Sequence, residues 1–543
     1  MSVASYFLGR SLGLGKRLSG ASRERGLRVP TEDGLTLATE HFAPRLPGAH
    51  PTLLLRSPYG LRGFATIAEL YAERGYHVVL QACRGTGGSD GTFEPLRHER
   101  ADGLATLAWI QSQSWFDGRL GTSGPSYLGY TQWAISDAMP RPSAMAIKVS
   151  SAEFRSVILP NGAFHLDLWL SWIQLIDSIA QGPMAFMRTA FRGGIDRVTA
   201  KASLTLPLEG ADVEITGHEV PFWRHWIVDA FDDPKFWEDM DHTHRLGSRT
   251  PPVLFVSGWY DIMLDQLLRD YETLRAAGAS PQLKVGPWFH VSPELQGDGV
   301  RETLPFMDRM LRGIGTAPAK PVSLFITGAD EWRDFESYPP GQPDMQLWHL
   351  NANSTLSLRP ATSAPPDAYR YDPRDPTPNL GGAIFAFTGA GPVDQAPLEA
   401  RDDVRLFTSE PLMRDLTIVG NVRVTLYARA SLPDADLFVK LCDVGENGVS
   451  INICDGLIRK TSSDPAVVDD IWKLNFKLHA TAHCFGEGHR LRLLVASGAH
   501  PRFARNTGTT EPVGTATRLL PVDIEIFHDH EHPSAIQLPV YEL

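Results

Sequence analysis

The sequence has few cysteines, and none of them stands in a paired spacing. Its 543 residues include four, Cys83, Cys442, Cys454 and Cys484, with no C-x-x-C motif among them. Four scattered cysteines in a chain of this length do not form a disulfide framework. We therefore expect free thiols and a reducing, cytoplasmic compartment.

Long apolar runs and an excess of basic residues are also missing. No stretch of about eighteen apolar residues occurs, so no segment is predicted to span a bilayer. Residues 1–18 have no basic region ahead of an apolar block and no A-x-A-like cleavage site, which favours a surface helix over a secretion signal. The formal charge of −12 argues against nucleic acid and anionic membranes as partners, because both require concentrated Lys and Arg. A homo-oligomer is left open.

The chain is long enough for two or three domains, and its composition and hydrophobic pattern change along its length. Residues 1–145 and 246–320 alternate short apolar runs with helical segments, which predicts an α/β core with a parallel sheet. Residues 146–245 are rich in Trp, Leu, Phe and Met, which predicts a helical cap inserted into that core. Residues 321–543 contain short β-rich runs between Gly, Pro and Asn turns, beginning with Pro321–Ile326, and this pattern predicts a β-sandwich.

A tight strand-to-helix turn contains a candidate nucleophilic serine. The apolar strand Leu120–Ser123 leads through Gly124-Pro-Ser126-Tyr-Leu-Gly129 into a predicted helix, Tyr130–Ser136. A serine on such a turn has an exposed hydroxyl, and glycines are needed where a side chain would collide with the neighbouring strand or helix. The usual spacing is G-x-S-x-G, whereas here the second glycine comes one residue late. The turn alone leaves an ordinary loop open, with Ser123 as a rival nucleophile.

Two later strands end in residues that can activate this serine. Strand Pro252–Gly258 is followed by Trp259-Tyr-Asp261, and strand Gln282–Val285 by Gly286-Pro-Trp-Phe-His290. The order Ser, acid, His, with the acid and the histidine each following a late strand, is typical of the α/β-hydrolase fold. We therefore predict a catalytic triad of Ser126, Asp261 and His290. Asp265 is an alternative acid, although it lies within the following helix.

These residues and several others resemble the cocaine-esterase and X-prolyl dipeptidyl-peptidase family of serine hydrolases. The resemblance covers residues 27–543 and lies in these motifs: Arg56-Ser-Pro-Tyr59-Gly, Cys83-Arg84-Gly-Thr-Gly-Gly-Ser89-Asp-Gly91, Gly124-Pro-Ser126-Tyr127-Leu-Gly129, Gly258-Trp-Tyr-Asp261, Gly286-Pro-Trp-Phe-His290, Phe306-Met-Asp308-Arg-Met-Leu-Arg-Gly313, Leu441-Cys-Asp443-Val, Cys454-Asp455-Gly456-Leu-Ile-Arg459 and Pro533-Ser534-Ala-Ile-Gln-Leu-Pro539-Val. The late glycine of the serine turn is a variant found in this family, so it supports the resemblance.

The resemblance implies an architecture and a set of roles. It implies an α/β-hydrolase core, an inserted helical cap and a C-terminal jelly roll of the galactose-binding-like kind. Ser126 would be the nucleophile, His290 the base and Asp261 the residue that orients the base. The oxyanion hole would combine the Tyr59 hydroxyl with the Tyr127 backbone N–H. Such a site acts through an acyl-enzyme and requires no metal or organic cofactor.

The predicted substrate is a small carboxylic ester. An ester needs an apolar pocket for its acyl group, and four aromatic residues are candidates for lining it. They are Trp169, Trp172, Phe164 and Trp259. Aromatic residues in a helical cap can equally form the cap's own core.

Two other functions stay open. An X-Pro dipeptidyl aminopeptidase, or an α-amino-acid ester hydrolase or acylase, would use the same triad on a short peptide or amide. It would also need acids that hold the α-ammonium of the substrate, and Glu153, Asp167 and Asp177 of the cap are dispersed in sequence. A carbohydrate-binding protein with a degenerate hydrolase domain is a remote alternative, against which the intact Ser/Asp/His set argues.

Two conspicuous motifs are interpreted as structural. The glycine-rich run after Arg84 lacks the Lys-Ser/Thr of a phosphate-binding loop, so we expect a turn in which Arg84 pairs with a nearby acid. The tract His528-Asp-His530-Glu-His532 is interpreted as a solvated loop between strands rather than a metal site.

Overall fold

Two sheets organise the chain in the computed structural model, which describes residues 3–182, 184–185, 194–229, 231, 233–360, 364–461 and 471–542. The strands of the first sheet are β1 (Ala21–Pro30), β2 (Thr36–Pro44), β3 (Thr52–Ser57), β4 (His77–Ala82), β5 (Leu120–Pro125), β6 (Ala144–Lys148), β7 (Val253–Tyr260), β8 (Gln282–Phe289), β9 (Val322–Ile326) and β10 (Glu331–Phe335). Their order across the sheet is β1-β2-β4-β3-β5-β6-β7-β8-β9-β10.

The central strands of this sheet pair in parallel, from β4 and β3 through β9. At one edge β2 pairs antiparallel with β1 and β4, and at the other β10 pairs antiparallel with β9. Every residue of β3, β4 and β7 is buried, as expected of parallel strands covered by helices on both faces. The carboxyl ends of these parallel strands meet at one edge, which is where ligands bind in such folds.

Helices occupy the connections between the strands. Their bounds are α1 (Val3–Ser11), α2 (Ala65–Ala72), α3 (Glu99–Gln111), α4 (Tyr127–Trp133), α5 (Arg155–Ile158), α6 (Leu166–Gln181), α7 (Gly194–Ala202), α8 (Ala211–Thr216), α9 (Pro221–Arg224), α10 (Pro234–Glu238), α11 (Leu264–Ala276), α12 (Pro293–Met307) and α13 (Ala396–Glu399). Across the described residues, none of the helices combines the length and the apolar character needed to cross a membrane.

Successive residues of a strand serve opposite faces of the first sheet. Leu54 of β3 belongs to the cluster that contains Leu107 of α3, whereas Leu53 and Leu55 belong to the one that contains Leu304 of α12. This alternation follows from the two-residue period of a β-strand. The predicted pairing of Arg84 is confirmed, because its guanidinium lies 2.6 Å from Asp102 of α3.

Helices α5 to α10 lie between β6 and β7 in the chain and form the cap. Trp169 of α6 contacts Trp172 and Trp226 edge-on, with ring centroids 5.5 and 4.8 Å apart. These aromatic residues share one buried cluster with Tyr127 and Tyr130 of α4, so the cap packs directly against the serine turn. The predicted domain boundary after residue 145 needs a correction, because strand β6 crosses it.

The second sheet contains the C-terminal strands. They are β11 (Asp344–Asn351), β12 (Thr355–Ser357), β13 (Asp367–Tyr371), β14 (Arg405–Thr408), β15 (Leu416–Gly420), β16 (Arg423–Ala430), β17 (Ala435–Val444), β18 (Ser450–Lys460), β19 (Trp472–Lys477), β20 (Thr481–Phe485), β21 (Arg490–Ala496), β22 (Val522–Phe527) and β23 (Ala535–Tyr541). Residues from opposite parts of this β-sandwich, such as Leu426, Leu441, Leu493 and Ile536, form one buried cluster. Among the described strands of this sheet, pairing is antiparallel except between β12 and β14.

The segment Pro321–Ile326, predicted to be the first strand of the sandwich, lies in the first sheet instead. Strand β9 pairs in parallel with β8, and β10 folds back on β9. The first sheet therefore continues to Phe335. A strand of five residues with alternating burial fits either sheet, so its pattern alone cannot show which neighbour it pairs with.

Candidate active site

Ser126 lies on a strained turn between β5 and α4. Its backbone angles are φ 55° and ψ −123°, a conformation that a residue with a side chain rarely adopts. The Ser126 N–H donates to the carbonyl of Lys148, 2.8 Å away at the end of β6, and this bond holds the turn against the sheet. Such strain is characteristic of a serine whose hydroxyl is exposed at the carboxyl edge of a sheet.

The two glycines of the turn are required by close packing. A Cβ atom on Gly124 would lie 2.3 Å from Cβ of Leu128, and one on Gly129 would lie 2.4 Å from Cβ of Ser150. Gly129 is the late glycine of the motif. In the usual G-x-S-x-G spacing the second glycine comes two residues after the serine. Here helix α4 contacts the segment after β6 at the third residue, so the glycine is needed there.

The predicted triad residues lie within hydrogen-bond distance of one another. His290 follows β8, and its Nε2 lies 3.0 Å from Oγ of Ser126. Its Nδ1 lies 2.6 Å from Oδ1 of Asp261, which follows β7. Asp261 is fully buried and His290 is 3% exposed. Because an ionised carboxylate only accepts hydrogen bonds, Nδ1 donates to Asp261 and Nε2 faces the serine hydroxyl as an acceptor.

Two further donors fix the carboxylate of Asp261. The Ser257 hydroxyl donates to Oδ2 at 2.6 Å, and the Met263 N–H donates to Oδ1 at 3.2 Å. A buried carboxylate needs such partners, because an unpaired buried charge is costly. Asp261 therefore has one orientation, and that orientation places the imidazole of His290 against Ser126.

The rival residues lie elsewhere. Ser123 is buried within β5, and its hydroxyl is 3.4 Å from the ammonium of Lys148. Asp265, in the first turn of α11, lies 3.1 Å from His479 of the sandwich. Neither residue contacts the hydrogen-bonded chain of Ser126, His290 and Asp261.

Tyr59 presents a neutral hydroxyl beside the serine. It accepts a hydrogen bond from Nε1 of Trp172 at 3.1 Å. Burial raises the pKa of Tyr59, and hydrogen bonds with Trp172 and Ser126 offset only part of that rise. The phenol is therefore protonated at neutral pH and has its own proton available to donate.

Tyr127 directly follows Ser126, and its side chain is hydrogen-bonded away from the serine hydroxyl. Its hydroxyl donates to Glu99 at 2.8 Å and accepts from the N–H of Leu96 at 2.8 Å, within the core. Its backbone N–H is the first of α4, and the first N–H groups of a helix have no acceptor within the helix. This N–H directly follows Ser126 in the chain, which is the position of a backbone oxyanion donor in the α/β-hydrolase fold.

The pocket around Ser126 is small and apolar. It is lined by Tyr59, Pro95, Leu96, Ser126, Tyr127, Phe154, Leu168, Trp169, Trp172, Met263, His290 and Phe385. Its volume of about 20 Å³ is close to that of one water molecule. None of these described residues has a carboxylate side chain.

The predicted acyl pocket is partly corrected. Trp169 and Trp172 line it, whereas Phe164 and Trp259 do not. Phe164 packs on Trp223 inside the cap, with ring centroids 5.6 Å apart. Trp259 donates from Nε1 to the carbonyl of Phe325 on β9 at 2.6 Å. Both serve the protein core, for which a large aromatic side chain is equally suited.

One pocket residue comes from the predicted sandwich, in which sequence analysis identified no site residue. Phe385 lies between β13 and β14, and its ring centroid is 5.5 Å from that of His290. The only sequence signal is an apolar run between glycines, Gly382-Ala-Ile-Phe385-Ala-Phe-Thr-Gly389. Such a run does not indicate which distant residue it will contact.

The dispersed acids of the cap do not converge on the pocket. Glu153 binds the N–H of Ser156 at 2.7 Å. Asp167 lies 3.3 Å from His165, and Asp177 lies 3.0 Å from His218. All three acids thus have partners elsewhere, and none lines the pocket.

The fold and the geometry of the site are those of the serine hydrolases with an α/β-hydrolase fold. Comparison with known proteins assigns the family. Residues 33–292 match the family model of X-Pro dipeptidyl-peptidase (S15 family), and residues 315–537 match that of the X-Pro dipeptidyl-peptidase C-terminal non-catalytic domain. The chain is 32% identical to the cocaine esterase of Rhodococcus sp. (strain MB1 Bresler), with 94% of this chain and 97% of the esterase covered. The chain belongs to the family of serine hydrolases that includes these proteins.

Solved structures agree on the fold. An aminopeptidase from the marine sediment archaeon Thaumarchaeota archaeon superposes with a TM-score of 0.80 at 22% identity, covering 97% of each chain. An α-amino acid ester hydrolase gives the same TM-score and identity over 97% of this chain and 98% of its own. At this identity the likeness establishes the shared architecture of α/β-hydrolase core and C-terminal β-sandwich.

Proposed function

We propose that this protein hydrolyses carboxylic esters through an acyl-enzyme formed on Ser126. The observation that supports this most directly is the hydrogen-bonded chain from Asp261 through His290 to Ser126. The Ser126 end of this chain lies in an apolar pocket. In this proposal Ser126 is the nucleophile, His290 the general base and acid, and Asp261 the residue that orients the imidazole.

The acylation step uses the geometry around His290. Nε2 of His290 takes the proton of the Ser126 hydroxyl, 3.0 Å away, as Oγ attacks the carbonyl carbon of the ester. Asp261 stabilises the resulting imidazolium through Nδ1. When the tetrahedral intermediate collapses, the imidazolium gives its proton to the departing alkoxide, and an acyl ester of Ser126 remains.

The oxyanion forms between two donors in this proposal. The Tyr59 hydroxyl lies beside Ser126, and the Tyr127 N–H is the backbone donor that directly follows Ser126 in the chain. Each donor that strengthens its hydrogen bond as negative charge develops on the carbonyl oxygen contributes about 3 kcal/mol to transition-state stabilisation.

Deacylation repeats the sequence with water as the nucleophile. His290 removes a proton from water as the water oxygen attacks the acyl carbon, and then returns that proton to Oγ of Ser126. The products are a carboxylic acid and the free enzyme. Each step uses side chains and backbone groups of this chain, so the proposed reaction calls for no metal or organic cofactor.

The lining of the pocket favours esters over peptides with a free amino terminus. A peptide α-ammonium would enter a pocket whose described lining has no carboxylate, and an unpaired buried charge is costly. An uncharged acyl group instead gains from contact with Trp169 and Leu168, at about 25 cal/mol for each Å² of apolar surface buried. The pocket has a volume of only about 20 Å³, so side chains must move to admit any acyl group. We expect a short acyl chain because it requires the smallest movement.

The test compares two substrates at the same enzyme concentration. We expect kcat/KM for p-nitrophenyl butyrate to exceed that for Ala-Pro p-nitroanilide by at least about a hundredfold. A preference for the anilide that disappears on N-acetylation of its amine would show an X-Pro aminopeptidase instead. Absence of turnover together with absence of labelling by a fluorophosphonate would contradict a serine hydrolase of either kind.

A further inference from the structure

The start of helix α11 is held by the β-sandwich. Asp265 is the second residue of α11 and comes four residues after Asp261. One oxygen of its carboxylate accepts from Nδ2 of Asn421 and from the N–H of Ala480, each at 3.0 Å. The other oxygen lies 3.1 Å from Nδ1 of His479. All three partners belong to the sandwich.

These partners come from two separate turns of the sandwich. Asn421 lies between β15 and β16, whereas His479 and Ala480 lie between β19 and β20. Asn421 is itself fixed, because its Nδ2 also donates to the carbonyl of Leu478 at 2.9 Å. An acid in the first turn of a helix is usually stabilised by the helix dipole and solvent alone. Here 37% of the Asp265 side chain is exposed, yet its carboxylate meets a set of donors already in position.

The segment between Asp261 and Asp265 is short and internally bonded. The N–H of Asp261 donates to Gly258 at 3.0 Å, and the N–H of Leu264 donates to the carbonyl of Asp261 at 3.2 Å. The N–H of Met263 donates to the Asp261 carboxylate itself. A shift of the start of α11 is therefore transmitted to the carboxylate of Asp261, because Ile262 and Met263 between them are buried.

We propose that Asp265 is a positioning residue through which the β-sandwich holds Asp261 in register with His290. This inference rests on the proposed function, because it takes Asp261 to be the residue that orients the base. Asp265 itself touches neither His290 nor the pocket. Loss of its contacts changes the placement of Asp261, and of the residues that line the pocket Met263 alone lies on this segment, so the effect falls mainly on kcat rather than on KM.

Two substitutions at one position separate placement from charge. Asp265→Ala removes the acceptor for all three donors, and we expect kcat on p-nitrophenyl butyrate to fall about tenfold with KM within about twofold of the wild type. Asp265→Asn keeps the shape of the side chain: its carbonyl accepts from Asn421 and Ala480, and its amide donates to neutral His479. We expect it to retain most of kcat.

A control tests whether any lost contact between the two sheets has this effect. The Thr327 hydroxyl donates to the carbonyl of Ala482 at 2.8 Å and lies 2.9 Å from Nδ1 of His483, so it also joins the first sheet to the sandwich, through partners other than those of Asp265. We expect Thr327→Val, which keeps the volume, to leave kcat within about twofold. Asn421→Ala removes one of the three donors to Asp265, leaves the acid intact, and is expected to give a smaller loss than Asp265→Ala.

The outcomes distinguish this inference from the proposed function. A wild-type kcat in folded Asp265→Ala, an equal loss in Thr327→Val, or a failure of Asp265→Asn to rescue kcat would each overturn it. If Asp265→Ala does not fold, a wild-type kcat in Asn421→Ala overturns it, and a reduced kcat with unchanged KM supports it. Asp261→Asn checks the triad separately: its activity is lost if the proposed function is right, whatever happens at Asp265.

Discussion

Replacing Tyr59 by phenylalanine removes one hydroxyl from the pocket and leaves the aromatic ring in place. In the structure that hydroxyl accepts from Trp172 at 3.1 Å and lies beside Ser126. Loss of one oxyanion donor costs about 3 kcal/mol in the transition state, and about 1.4 kcal/mol corresponds to a tenfold change in rate. We therefore expect kcat for p-nitrophenyl butyrate to fall roughly a hundredfold, with little change in KM.

The same substitution also removes the acceptor for Nε1 of Trp172. An unsatisfied buried donor costs about 1–3 kcal/mol, but this cost appears in the free energy of unfolding rather than in kcat. Trp172→Phe is the matched control, since it breaks the same hydrogen bond and keeps the Tyr59 hydroxyl. We expect it to lower stability and to alter KM, with kcat retained within a few fold. A Tyr59→Phe enzyme with kcat within about threefold of the wild type, measured where acylation limits turnover, would refute the assignment of Tyr59 to the oxyanion hole.

Two further predictions concern the nucleophile and the pH dependence of stability. Ser126→Ala should abolish both turnover and labelling by a fluorophosphonate while the thermal unfolding temperature stays close to the wild-type value, because it removes a hydroxyl and creates no cavity; persistent stoichiometric labelling would move the nucleophile elsewhere, with Ser123 examined first. Nε2 of His41 lies 3.0 Å from Nδ1 of His77, and burial, together with the charge of His77, lowers the pKa of His41 from 6.5 to about 4. Because the pKa is depressed in the folded state, the stability associated with neutral His41 is present above pH 6.5 and is lost as the pH falls towards 4. His41→Gln should therefore flatten the decline of the unfolding temperature over that interval, and an equally steep decline would contradict this account.

The triad geometry could be predicted because parallel strands converge. Asp261 and His290 are separated from Ser126 by more than a hundred residues, yet each follows a strand of the same sheet. The carboxyl ends of parallel strands share one edge. Three candidate residues that each follow such a strand are therefore predicted to lie close together. The late glycine of the motif, Gly129, is explained by local packing: a side chain at this position would collide with Ser150.

The pocket was less predictable because its members depend on long-range packing. Trp169 and Trp259 are both predicted to line the acyl pocket, but Trp169 lines it whereas Trp259 donates to the carbonyl of Phe325. Residue type indicates only that such a side chain will be buried. The sheet to which β9 belongs was mispredicted for the same reason. Strand β9 has the length and alternation of a sandwich strand, and its parallel pairing with β8 is what assigns it to the first sheet.

The β-sandwich contributes to the site although its family model describes a non-catalytic domain. Phe385 closes one side of the pocket against His290, while Asn421, His479 and Ala480 hold the helix that follows Asp261. Without these contacts, His290 would meet solvent where Phe385 now lies, and water there would compete for the hydrogen bonds on which the imidazole depends. The α/β-hydrolase domain alone thus supplies all three residues of the hydrogen-bonded chain but not all of their surroundings. The second domain therefore contributes to the wall of the pocket and to the support of Asp261, and not to the hydrogen-bonded chain itself.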